Sequence, residues 1–236
     1  LYRPYKQKRR TRATVAREKG LEGLAAALMA QDPNMDSPEV LAESYVNPDL
    51  GVETAQDALQ GANDIIAEDI SDDAELRKAL RRLYSQKGVL TSQAKADEPQ
   101  DTVYRLYYDF RTPLSRAQGH QVLAINRGER EEVLKVKVEL DRELAVPLIN
   151  RHILKGLSPA GDFLRAAAAD AWDRLLEPSM EREERGELTD RANEGAITMF
   201  GANLKPLLMQ PPVKGRVTMG LDPGYRNGCK VAVVDA

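Results

Sequence analysis

For most of its length the chain sets apolar residues three and four positions apart, the spacing of one face of an α-helix. Leu21, Leu24, Ala25 and Leu28 make the first stripe and predict a helix from a Thr14 cap to about Gln31, where Asp32-Pro33 stops it. Ser37-Pro38 opens a short helix that ends near Asn47-Pro48, and Thr54 opens another through Ala58, Leu59, Ala62, Ile65 and Ile66. Ser71 reads as the cap of a fourth, with Leu76, Leu80, Leu83 and Tyr84 on one side and Gly88 as its exit. Val103, Leu106, Tyr107 and Phe110 continue the helical spacing after Asp101, and Thr112-Pro113 resembles a fresh cap with proline at the first helical position.

The period then changes. Leu134, Val136, Val138 and Leu140 alternate with Lys135, Lys137 and Glu139, which predicts a half-buried strand reached through the turn-like Asn126-Arg-Gly128. No partner strand stands out. Helices resume from about Arg142 to Lys155, ending at Gly156. Ser158-Pro159 caps the next, whose face is Phe163, Leu164, Ala167, Ala168, Ala171, Trp172, Leu175 and Leu176. A last helix, Thr189 to about Met209, carries Ala192, Ala196, Met199, Phe200 and Leu207, and Gln210-Pro-Pro-Val-Lys-Gly215 terminates it. Val217 to Asp235 reads as strand, glycine-rich turn, strand. The expected architecture is mainly α, an irregular multi-helix bundle over residues 1–210 followed by a β-hairpin in 211–236, with the proline pair as the boundary. No repeat of fixed period is present.

Composition narrows the functional classes. The single Cys229 precludes an internal disulfide framework, and His120 and His152 lie far from it, which argues against a classical zinc site. No window approaches the length of apolar run that spans a bilayer, and the basic N-terminus is not followed by one. A cytoplasmic, reducing compartment without membrane association is expected. The start at Leu1 and the closing run from Lys230 to Ala236, a strand in need of neighbours, suggest a piece of a longer chain.

Charge changes the picture more than composition does. The net charge of -3 conceals a basic arm: residues 1–19 hold Arg3, Lys6, Lys8, Arg9, Arg10, Arg12, Arg17 and Lys19 against Glu18 alone, a balance of +7 that leaves -10 elsewhere. Beside Tyr2 and Tyr5, these cations offer phosphate pairing together with rings for base stacking. Lys6, Lys8, Arg9, Arg10, Arg12, Arg17 and Lys19 are therefore the candidate nucleic-acid contacts. The competing reading is a solvated face, or cations paired with the chain's own acidic helices. The acidic groups Glu129, Glu131 and Glu132 and the run from Glu181 to Glu187 read as solvated helix surface, and Trp172 as core.

The second candidate is Asp222, at the end of the first strand of the C-terminal hairpin. A carboxylate there suits a metal site for phosphoryl transfer, which needs acidic groups on rigid neighbouring elements. The plainer reading is an Asp-Pro-Gly turn with the aspartate bonded to nearby amides. No phosphate-binding glycine loop, nucleophile elbow or dinucleotide fingerprint occurs, so no catalytic residue and no cofactor is assigned.

Taken in order and spacing, PYKQKRRTRATVAREKGLEGLA, LAINRGEREEVLKV, ANLKPLLMQPP and GLDPGYRNGCKVAVVD resemble the bacterial Tex family of transcription accessory proteins across nearly the whole chain. Gln7 stands where the family pattern has proline, a difference that touches only arm rigidity. The resemblance implies a helical region with helix-turn-helix-like elements, then the start of a YqgF-type RNase H-like domain, in a factor that binds RNA or DNA and works with the transcription machinery. It also implies that this domain lacks nuclease activity, leaving Asp222 as a vestigial metal ligand. A metal-dependent nuclease or resolvase, and a helical protein-interaction module, remain as alternatives.

Overall fold

The computed structural model describes residues 10–96, 102–211, 214–224, 226 and 228–235. In chain order these form α1 (Arg12–Glu18), α2 (Glu22–Ala30), α3 (Pro38–Glu43), α4 (Ala55–Asp72), α5 (Ala74–Lys87), β1 (Val89–Ala94), β2 (Asp109–Pro113), α6 (Gly119–Arg130), β3 (Leu134–Glu139), α7 (Arg142–Ile153), α8 (Gly161–Asp170), α9 (Glu177–Leu208), β4 (Thr218–Gly224) and β5 (Gly228–Val234). A π-helical turn, Ala171–Leu176, joins α8 to α9, and short 3-10 turns occupy Pro48–Leu50, Arg105–Tyr107 and Leu114–Arg116. The architecture is mainly α with a C-terminal hairpin, as the periodicity predicts. The chain divides into two compact units, Leu1–Asn193 and Glu194–Ala236.

Helix α4 is the centre of the first unit. Thr54 and Asp57 close a reciprocal capping box at its start, so the helix begins where the sequence places it. Its buried side chains are mostly small or β-branched: Ala58, Ala62, Ile65, Ile66, Ala67 and Ile70. Helices α1, α2, α3 and α8 and the π turn all pack against it. Gly61 lets α1 and the start of α2 come close, since a Cβ there would lie 3.3 Å from Ala16 Cβ and 2.3 Å from Leu21 Cδ1.

A three-stranded antiparallel sheet of order β2-β1-β3 covers another side of this unit, with Leu90 opposite Val138 and Ser92 opposite Val136. Leu134, Val136 and Val138 point inward and Lys135, Lys137 and Glu139 outward, so β3 follows the predicted alternation. Its unseen partner is β1, which carries β2 on its other edge. From Gly161 to Leu208 the chain is helical throughout. The π turn carries the buried Trp172, whose ring lies 6.4 Å from that of Tyr84 on α5. Among the described residues no helix is long and apolar enough to cross a membrane.

Several local expectations are corrected. The first predicted helix is two helices, broken where Gly20 takes φ +81°, and its cap is Thr11, which accepts from Thr14 N, rather than Thr14. Helix α5 is capped by Asp73, accepting from Leu76 N at 2.7 Å, while Ser71 is buried in the last turn of α4. The helical spacing after Asp101 is accidental: Val103 and Leu106 are 85% and 83% exposed, and the segment forms a 3-10 turn and β2. Pro113 ends that strand rather than opening a helix, and Asn126 to Gly128 lie inside α6. Ser158 sits in the turn before α8, and Thr189 lies within α9, its hydroxyl donating to the Arg185 carbonyl. Of the expected last face only Ala192 is buried; Met199, Phe200 and Leu207 are exposed. Glu184 is not solvated surface but only 7% exposed, and burial, with Glu187 and Glu183 adding repulsion, pushes its carboxyl up to about 7.

Two predictions follow from this packing. A Cβ on Gly88 would meet the Tyr84 carbonyl at 2.5 Å and Leu114 Cδ1 at 2.7 Å, whereas one on Gly186, in the interior of α9, meets nothing within 4 Å. In urea denaturation, Gly88→Ala is expected to cost about 1–3 kcal/mol and Gly186→Ala to gain about 0.5–1 kcal/mol. For Glu184 the folded state keeps a proton that the unfolded chain releases, so its contribution to stability falls as pH rises from about 4.5 to about 7 and stays low above. Glu184→Gln is therefore expected to raise the urea midpoint above pH ~7 and to change it little below pH ~5; an equal change at both would disprove the shift.

Candidate nucleic-acid interface

The basic arm divides into parts with different surroundings. Lys6, Lys8 and Arg9, like Tyr2 and Tyr5, lie outside the described residues. Arg10 is exposed just before α1 and pairs with Glu18 at 2.7 Å, a contact open to water on both sides. Helix α1 follows because Thr11 caps it and because Ala13 and Ala16 give it a buried, small-sided face against α4.

That docking fixes where the next cations go. The Arg17 guanidinium spans to α4, donating to Glu68 at 2.8 Å and Asp69 at 2.7 Å. Burial opposes its charge, but the Glu68 bond and the two carboxylates outweigh this and hold its pKa above the ordinary value. Lys19 donates to the Gly51 carbonyl at 2.7 Å. Arg12 is exposed and lies near Asp64, whose pKa burial raises against the pull of Arg174 and Arg12, and near Asp170, which Arg174 chiefly and Arg12 in part hold low. Arg12 and Lys19 line one side of a cleft of about 290 Å³ whose other side is Asp57, Gln60 and Asp64. The structure thus brings Arg12 and Lys19 to one cleft and turns Arg17 toward α4. Of the described arm cations, Arg10 and Arg12 are the ones that offer donors to a phosphate without breaking a contact between helices.

Asp222 belongs to the other unit. It stands on β4 directly across from Lys230 on β5, exposed. Alternation puts it on the face with Thr218, Gly220 and Ala232, away from Met219, Leu221, Val231 and Val233. No group of three or more His, Cys, Asp or Glu placed to hold a metal ion occurs among the described residues. Asp222 and Lys230 form a cross-strand pair of opposite charge, able to pin the hairpin register.

One group of cations escaped the sequence reading. Arg81 and Arg82 of α5 and Arg191 of α9 line a second cleft, of about 270 Å³, with Ser85, Ser115 and Glu184. Its members are scattered from residue 81 to residue 191, so no linear motif marks them. The only local sign is the Arg81-Arg82 pair with Ser85 one helical turn on.

Comparison with known proteins agrees with the resemblance of the sequence strings. Residues 32–200 match the model of the family described as Tex central region-like. The chain is 40% identical to Protein tex of Bordetella pertussis over 250 residues, covering all of this chain and 31% of that protein. It is 35% identical to Transcriptional accessory protein Tex of Neisseria gonorrhoeae, covering all of this chain and 31% of that protein. Against S1 RNA-binding domain-containing protein 1 of Homo sapiens it is 35% identical, over 98% of this chain and 24% of the relative. The chain therefore spans a third or less of the length of these relatives. With more than half of its residues matched by that model, the chain belongs to the Tex central region-like family.

Proposed function

We propose that this segment is a non-catalytic scaffold of a nucleic-acid-binding transcription accessory factor. In it, the arm from Lys6 to Arg12 meets phosphates, while Arg17 and Lys19 hold α1 on the helical body. The observation that carries the reading is the match of the whole chain to proteins named Transcriptional accessory protein Tex and, at 98% coverage, S1 RNA-binding domain-containing protein 1. The division within the arm supports it: Arg10 is held only by a solvent-exposed pair, which phosphate can displace at little cost. In the same reading, residues 1–210 are the helical region and 211–236 open an RNase H-like domain, with Asp222 a vestigial metal ligand. The hairpin's exposed apolar face of Met219, Leu221, Val231 and Val233 suits strands that receive further cover. Cytoplasmic work beside the transcription machinery completes the proposal.

A protein-interaction role is the second reading, favoured by the reach of Arg17 to Glu68 and Asp69, which shows arm cations meeting acidic helix surface. Fluorescence anisotropy of labelled single-stranded RNA and DNA, titrated across salt, separates the two. Salt-sensitive binding is expected, with a slope near -0.7 per phosphate contact on a single strand, and its loss in Arg9→Glu/Arg10→Glu. Binding unaffected by both salt and charge reversal would sink the arm's role. In urea, Arg17→Ala should cost about 1.5–3 kcal/mol, against about 0–1 kcal/mol for Arg10→Ala. For the non-catalytic part, the full-length protein is incubated with magnesium or manganese and branched DNA. Uncut substrate is expected; cleavage that disappears in Asp222→Asn overturns it.

A further inference from the structure

Most arginines of the helical unit are matched to carboxylates: Arg17 to Glu68, Arg81 to Glu183, Arg142 to Asp173, Arg174 to Asp64 and Asp170, and Arg185 to Glu129. Arg82 and Arg191 are not. Both are exposed, and neither makes a hydrogen bond or ion pair with any described residue. They belong to different helices, α5 and α9, yet line the same cleft of about 270 Å³. Two hydroxyls, Ser85 and Ser115, line it as well, and neither has a hydrogen-bond partner among the described residues.

The walls are fixed by packing. Leu114, 4% exposed, anchors the 3-10 turn beside α5, and its amide donates to the Gly88 carbonyl at 2.9 Å. Helix α9 is tied to α5 through Arg77, which donates to Ser179 at 3.0 Å and to Glu183 at 2.9 Å. Arg81 shares Glu183 from the cleft side. The walls that carry these donors are therefore held in place, so the donors share one cleft without a rearrangement of backbone, which favours binding.

The chemistry selects the ligand. Guanidinium forks with hydroxyls beside them match the tetrahedral oxygens of phosphate, each fork able to donate two parallel bonds. We propose that the cleft between α5, the Leu114–Arg116 turn and α9 binds a phosphate group, held by Arg82 and Arg191 with the Ser85 and Ser115 hydroxyls completing the shell. The site is separate from the basic arm, and its failure would leave the arm's role standing.

Glu184 and Glu187, both on α9, line the same cleft, and their charges oppose an anion. The groups that act on the Glu184 carboxyl are Glu183 and Glu187 on its own helix, which raise its pKa, and Arg81 of α5 and Arg191 of α9, which lower it. Ser115 lines the cleft from the turn, and Arg82 from α5. With the Glu184 carboxyl pushed up to about 7, its protonation in the neutral range removes one of the two opposing charges. Binding of a phosphodiester, whose charge is constant across this range, should therefore strengthen as pH falls through that value.

Amide and arginine side-chain NMR on this protein tests the site, with three ligands titrated separately: inorganic phosphate, adenosine monophosphate and a single-stranded oligothymidine, each against a matched chloride control. Localised shifts are expected at Arg82, Ser85, Ser115 and Arg191. Affinity should fall roughly tenfold or more in Arg82→Ala/Arg191→Ala, the loss appropriate to charge-assisted bonds, with the rest of the spectrum unchanged. Glu184→Gln should tighten oligothymidine binding above neutral pH and flatten its pH dependence there, since a phosphodiester keeps a constant charge across that range. A response to the oligonucleotide alone assigns the site to a nucleic-acid backbone; a response to all three assigns it to any accessible phosphate. No localised shift with any ligand, or equal shifts in the double variant, overturns the proposal.

Discussion

Helix α4 is approached from several directions at once, by α1, α2, α3, α8 and the π turn, and side-chain size decides whether that is geometrically allowed. Leu21, which caps α2, leaves no room for a Cβ at Gly61, and Ala16 of α1 lies close beside it. Close approach of this kind brings many weak dispersion contacts into range along the whole interface. It also determines the direction of every polar side chain at the rim. Arg17 meets Glu68 and Asp69 because α1 lies on α4 at that distance, and Arg12 faces Asp64 and Asp170 for the same reason.

The same approach buries charge. Asp64, nearly covered on α4, is pushed toward its neutral form by burial, against which the Arg174 guanidinium draws it down. Asp170 is held low chiefly by its bond to Arg174, which reaches Asp170 at 2.7 Å and Asp64 at 2.9 Å from the π turn. Asn63 also donates to Asp170, at 3.0 Å. Desolvation offsets much of what such a network gains in attraction. Its larger effect is geometric: only the widened turn at Ala171–Leu176 sets Trp172 inward beside Tyr84 while carrying Arg174 toward α4. Without Arg174, two carboxylates would face each other across a helix interface.

Where sequence and structure agree, the determinant is local. Thr54 with Asp57, the Ser37-Pro38 start and the alternation of β3 all depend on neighbours within a few residues, and each was legible. Strands β1 and β2 were not, because VLTSQA and DFRTP have little alternation of their own and acquire an inner face only by pairing with β3 and with each other. The helix expected after Asp101 fails for the converse reason: Val103 and Leu106 have helical spacing but nothing to pack against. Functional residues divide the same way. The basic arm is a contiguous run and reads directly; the arginine cleft is assembled from α5, a 3-10 turn and α9 and exists only in three dimensions.

Net charge is a poor guide to where a protein surface attracts phosphate. Outside its first nineteen residues the sequence carries -10, which suggests repulsion of nucleic acid. At physiological salt, however, screening acts over about 8 Å, so an approaching phosphate senses the nearest side chains rather than the sum. What matters is how many cations lack an acidic neighbour. Helix packing fixes that number by pairing Arg17, Arg81, Arg142, Arg174 and Arg185 with carboxylates and leaving others, Arg82 and Arg191 among them, without an ion pair to a described residue. An acidic body thereby presents small basic sites, and their strength is set by the fold's distribution of ion pairs rather than by composition.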